Sequence, residues 1–198
     1  MKWVDFHEKL LRLNLTVFTL REALRLLGLD YDTGRMQISR WVRMDYLARL
    51  KNGLYALKGF LDRGEISEYY IANRLYSPSY VSLESALSFY NLIPEIAFSV
   101  TSISPKATRK FLIEHTPYVY RSVQPRFFTG YIVEKQKGSS IRIAEKEKAV
   151  VDYLYFTVIE KASPLERLMF KGLNERKMRE YASLVKQQKL MSLIKKLC

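Results

Sequence analysis

The chain has 198 residues, 48% hydrophobic and 27% charged, with a net charge of +13, a balance that indicates a folded globular protein and excludes a disordered one. No apolar run approaches the roughly 18 residues of a membrane span, and the amphipathic, acid-containing start MKWVDFHEKLL is unlike a signal peptide. The lone cysteine, Cys198, and two separated histidines, His7 and His115, leave no intrachain disulfide and argue against a zinc site, as expected in a reducing cytoplasm.

Trp3, Phe6, Leu10, Leu13 and Val17 recur at helical spacing, which predicts an amphipathic helix over 3–14. Thr19 and Glu22 form a capping box for a second helix. Its buried stripe is Leu20, Ala23, Leu24 and Leu27, and Gly28 ends it in the left-handed conformation. After the turn DYDTG, a third helix is predicted from Thr33 to about Met44. Ile38, Trp41 and Val42 share one face; the opposite face carries Met36, Ser39, Arg40 and Arg43. The stretch LARLKNGLYAL, Leu47 to Leu57, then places Asn52-Gly53 between two alternating runs, a strong hairpin signal. A break follows at Lys58-Gly59.

Three short helices followed by a hairpin are the layout of a winged helix-turn-helix, in which the third helix enters the DNA major groove and the hairpin is the wing. Gly34 to Lys58 carry six cations against one acid, Asp45. The expected DNA-binding residues are Ser39, Arg40 and Arg43 in the groove, Arg35 on phosphate, and Arg49, Lys51 and Asn52 on the wing. The competing reading is a small helical domain with a solvated basic face.

Beyond Gly59, ISEYYIANRLY and SLESALSFYNL read as helices, the second capped by Ser82. AFSVTSI, RKFLIEH, YVYRSVQ and FFTGYIVE, separated by Pro105, Pro117 and Pro125, predict a small antiparallel sheet, with SSIRIA as a further strand. EKEKAVVDYLYFTVIE is a predicted helix with Ala149, Val150, Tyr153, Leu154 and Val158 on its apolar side. Ser163 to Glu166 form a second capping box, and 174–197 a basic helix or helix pair. The charge is uneven. Residues 1–60 hold 11 Lys/Arg against 6 Asp/Glu, 61–162 hold 13 against 11, and 163–198 hold 9 against 3. The basic ends suggest two anionic contacts, or one contact and a solvated tail.

No catalytic constellation emerges. Asp30 and Asp32 resemble a metal-binding acid pair. That chemistry also needs a Gly-Ser phosphate turn upstream and a third acid, and the pair sits where Asp caps helices and forms turns. Glu145, Glu147 and Asp152 are interleaved with Lys146 and Lys148, the pattern of a charged helix surface. No Walker loop, nucleophile elbow or dinucleotide glycine pattern is present. Most of the 14 tyrosines fall at core or strand spacing, which favours packing over base stacking. The expectation is a binding protein without enzymatic activity, metal or cofactor.

The order of segments resembles the AbiEi-like antitoxins of type IV toxin–antitoxin, or abortive-infection, systems. The matching residues are RLKNGLYAL (49–57), IANRLYSPSYVSLESALSFYNLIPE (71–95), VTSISPKATRKF (100–111), YRSVQPRFFTGY (120–131) and IRIAEKEKAVVDYLYF (141–156), most of residues 33–156. The resemblance implies an α+β protein of two domains. Residues 1–60 would be a winged helix-turn-helix binding inverted repeats in its own promoter, with two protomers on the repeats. Residues 61–198 would be an antitoxin domain with a small antiparallel sheet, C-terminal helices and a basic tail (163–198). The functional partner would be a nucleotidyltransferase-like toxin, opposed without a stable complex. The alternative is a standalone winged-helix regulator with a sensing or partner-binding C-terminal domain.

Overall fold

The structure, a computed structural model, describes residues 2–95, 97–160, 167–170 and 172–197. The fold is α+β, and its contacts divide the chain into two compact units: Met1–Leu75 with Lys135–Ser140, and Tyr76–Glu134 with Ile141–Cys198. Among the described residues no helix is long and apolar enough to cross a membrane. The capping box expected at 163–166 lies outside the described residues.

The first unit runs α1 (Trp3–Arg12), β1 (Val17–Thr19), α2 (Leu20–Leu27), α3 (Tyr31–Arg43), β2 (Leu47–Lys51), β3 (Leu54–Leu57), α4 (Lys58–Asp62) and α5 (Glu68–Leu75). Val17 belongs to a strand and does not extend the α1 stripe, because the helix stops at Arg12 and Asn14 turns the chain with φ 53°. The β-branched and aromatic pair Val17-Phe18 then pairs antiparallel with β3, Val17 opposite Ala56, giving a three-stranded sheet of order β1-β3-β2. The β2–β3 hairpin turns at Asn52-Gly53, with Gly53 in the left-handed region, and its register shifts between Arg49 and Lys51. Where a break was expected after the hairpin, Lys58 and Asp62 instead pair one turn apart along α4. Phe6, Leu10, Phe18, Ile38, Trp41 and Leu57 meet in the core of this unit.

The α2 capping box forms as the sequence predicts. Thr19 Oγ1 accepts the Glu22 N–H at 3.2 Å, and Glu22 Oε2 accepts the Thr19 N–H at 2.6 Å and the Thr19 hydroxyl at 2.8 Å. Arg74 adds an ion pair to the same carboxylate. Burial pushes the Glu22 carboxyl up, but the Thr19 hydrogen bonds and Arg74 more than offset it and hold it below its ordinary 4.5. A carboxyl depressed by folding stabilises the native state above its unfolded pKa, and that contribution is lost as pH falls through the folded value. Urea midpoints between about pH 6 and about pH 3 should therefore fall for the wild type and fall less for Glu22→Gln; an acid limb as steep in the variant would contradict this role.

The second unit contains β4 (Tyr80–Val81), α6 (Leu83–Phe89), β5 (Val100–Ser104), β6 (Arg109–Ile113), β7 (Thr116–Ser122), a 3-10 turn (Pro125–Phe127), β8 (Tyr131–Gln136), β9 (Ser139–Ala144), α7 (Lys146–Glu160), α8 (Glu175–Ser183) and α9 (Gln188–Leu197). The tip of the β8–β9 hairpin, Lys135–Ser140, is the part that counts with the first unit. The sheet is mixed, which corrects the expected antiparallel one. Its order is β6-β7-β5-β4-β9-β8, with β5 parallel to β7 and β4 parallel to β9. The cause is the β6–β7 hairpin, which folds back so that β7 lies beside β5, two strands after it in the chain.

Two further expectations fail around α7. Ser82 precedes α6 but makes no cap bond; its hydroxyl donates to Asp152 at 2.8 Å. Thr101 of β5 replaces it, its Oγ1 accepting the Ser85 N–H at 3.1 Å. Lys148 and Asp152, expected on a charged surface, are wholly buried and ion-paired. Asp152 Oδ2 also accepts the Tyr80 hydroxyl at 3.0 Å, and the Lys148 ammonium stands 3.5 Å over the Phe127 ring. Burial pushes the Asp152 carboxyl up and the Lys148 ammonium down, and each partner opposes the other's shift.

Candidate functional site

The one surface that gathers most of the expected site residues is the outer face of α3. Asp30 starts this helix, its Oδ1 accepting the Thr33 N–H at 3.0 Å, so α3 begins at Tyr31, two residues before the predicted Thr33. That bond holds the exposed Asp30 carboxyl below its ordinary range. Asp30 is thus a helix cap, as its place in the DYDTG turn predicts. Among the described residues no group of three or more His, Cys, Asp or Glu side chains is placed to hold a metal ion.

The inner face of α3 is fixed by packing. Gly34, Ile38 and Trp41 are buried, and Trp41 stacks on Phe6 at 4.8 Å. Gly34 packs against α2: a Cβ there would lie 2.0 Å from Leu24 Cδ2. A larger residue at 34 would make the Leu24 side chain shift.

The outer face is Arg35, Met36, Ser39, Arg40 and Arg43, all exposed. None of the three arginine side chains makes a hydrogen bond or ion pair with a described residue. Elsewhere Arg12, Arg63, Arg74, Arg121, Arg176 and Arg179 each pair with a carboxylate. On α3 each guanidinium keeps its five N–H donors for water or a ligand. Arg35, Ser39 and Arg43 line one shallow hollow with Asp32 and Met36. Arg40 lines another, with Lys2, Gln37 and Met44. Helical geometry explains the split, since residues 35 and 40 stand about 140° apart around the axis at about 100° per residue.

The hairpin residues differ among themselves. Arg49 and Asn52 are exposed, and the Arg49 guanidinium donates to Asn52 Oδ1 at 3.0 Å. Lys51 is half-buried, and its ammonium donates to the Leu75 carbonyl at the end of α5.

The acids weighed as acid/base groups are spread along α7 and its approach, and each holds a structural partner. Glu145 accepts the Tyr181 hydroxyl at 2.9 Å and pairs with Lys177, Glu147 accepts the Asn174 N–H at 3.1 Å, and Asp152 belongs to the buried Lys148 pair. In the basic tail, Arg176, Lys177 and Arg179 of α8 are all paired with glutamates. The exposed Lys189, Lys195 and Lys196 of α9 have no acid on their own helix.

Sequence pattern placed Met36 on the outer face without giving it a role. The structure leaves it 66% exposed in the middle of the arginines. No protein-family model matches the chain, and no curated protein matches it.

Proposed function

We propose that this protein is a duplex-DNA-binding regulator whose first unit works as a winged helix-turn-helix. In this reading α2 supports α3, α3 lies in the major groove, and the β2–β3 hairpin is the wing. The observation that carries it is the outer face of α3, where three arginines stand in water with no ion pair to a described residue, Asp32 lining the same hollow as two of them, while its inner face is locked into the core. Free arginines on a rigid helix suit phosphate and guanine, both of which accept bidentate hydrogen bonds. Arg43 and Ser39 face base edges; Arg35 and Arg40, on opposite flanks, face the two phosphate walls, which moves Arg40 from the groove position expected of it, since it lines a separate hollow from Arg43. On the resemblance of residues 33–156 to AbiEi-like antitoxins, we propose further that the regulated DNA is its own promoter. The second unit would then act in opposition to a nucleotidyltransferase-like toxin.

The wing separates two cations that sequence pattern treats alike. Arg49→Ala should weaken binding to all duplexes about equally and reduce the slope of log affinity against log salt by about one. Lys51→Ala should leave that slope unchanged and lower stability, because its ammonium is held by Leu75. Salt titrations of both variants by fluorescence anisotropy check the pair. A slope unchanged in Arg49→Ala would remove the hairpin from the interface.

A further inference from the structure

The outer face of α3 is basic at its flanks, Arg35 and Arg40, and mixed along its centre, which carries one acid, one apolar residue, one hydroxyl and one cation. Asp32, Met36, Ser39 and Arg43 follow one another at i, i+4, i+7 and i+11, which sets them on one stripe of the helix. They line the same shallow hollow. Met36 is the large apolar member, 66% exposed, while Ile38 two residues on is fully buried. A helix set in the major groove touches phosphates with its flanks and base edges with its central stripe. The groove offers an apolar partner at one feature, the C5-methyl of thymine. A thioether on three rotatable bonds is polarizable and adapts its reach to such a contact. Its short neighbour Ser39 leaves it room to do so.

We infer that Met36 is a specificity-determining residue that reads a pyrimidine 5-methyl group, so that preferred sites carry thymine opposite the centre of α3. The inference rests on the DNA-binding reading above. Arg43 supplies guanine recognition two stripe positions further on, beyond Ser39, and Met36 supplies the recognition of a pyrimidine methyl group, which hydrogen bonds from arginine do not give. The gain is the removal of both the methyl group and the exposed thioether from water.

Selection of bound duplexes from a random pool with the full chain identifies a preferred site. Each thymine in that site is then replaced by deoxyuridine, which removes only the methyl. At one position in a half-site the wild type should bind about fourfold more weakly, the effect of one buried methyl group. Met36→Ala should bind the thymine and deoxyuridine duplexes equally, with the salt slope of the wild type and an unchanged melting temperature. Deoxyuridine forms that all bind the wild type like the parent site, or a thymine–uracil difference that survives Met36→Ala, would overturn the role of Met36 and leave DNA binding standing. Duplexes retained without enrichment of any sequence would overturn the role of Met36 alone, and a pool from which no duplex is retained would overturn both.

Discussion

Asp152→Ala should destabilise the second unit by about 3–5 kcal/mol. The aspartate is wholly buried, and its carboxylate is the acceptor for Lys148, Tyr80 and Ser82 together. Removing it strands an ammonium inside the protein, with the Phe127 ring as its nearest listener and no anion to neutralise it. It also leaves two buried hydroxyls without their acceptor. The double variant Lys148→Met/Asp152→Leu removes both charges and should lose less than Asp152→Ala alone, because a buried pair exchanged for apolar side chains is often close to neutral. Urea unfolding of the two variants checks this. A single variant within about 0.5 kcal/mol of the wild type, or a double variant worse than the single one, would mean that the pair is not the buried joint described above.

Arg43→Ala should cost about 1–3 kcal/mol of binding to the preferred duplex and relax the sequence preference at one base pair. Its effect on unrelated duplexes should be small. Arg35→Ala, on the flank of the same helix, should show the converse, a similar loss on every duplex and a salt slope reduced by about one. Both side chains are exposed and make no hydrogen bond or ion pair with a described residue, so neither substitution should move the melting temperature. Anisotropy titrations on one preferred and one scrambled duplex separate the two effects. Equal behaviour of the two variants on both duplexes would mean that α3 does not lie in the groove as assigned.

The local signals of the first unit were legible in the sequence because each has a short-range cause. The Thr19–Glu22 box, the left-handed Gly28 cap and the Asn52-Gly53 turn depend on residues within four positions of one another. The outer face of α3 followed from helical period alone. Long-range pairing was not legible. Nothing in the strand segments themselves says that β7 lies beside β5, since successive side chains point to opposite faces whichever way the partner strand runs. Lys148 and Asp152 were misplaced for a related reason. A Lys and an Asp four residues apart look like an exposed helix pair, and only the tertiary partners Tyr80, Ser82 and Phe127 take them inside. Tyr155 and Ile159 share that side of α7, so an apolar component of the supposedly charged face was visible in sequence. Lys51 shows the same limit on the wing, where its alternation gives a solvent-facing cation and its partner Leu75 lies 24 residues away.

In the proposed function the first unit binds duplex DNA through α3 and the β2–β3 hairpin. Footprinting on the DNA immediately upstream of the protein's own gene tests it most directly. A discrete protected segment, containing inverted repeats and lost in the Arg35→Ala/Arg43→Ala double variant, is the predicted result. Absence of any protected segment at saturating protein, or a protection pattern that the double variant reproduces unchanged, would contradict it.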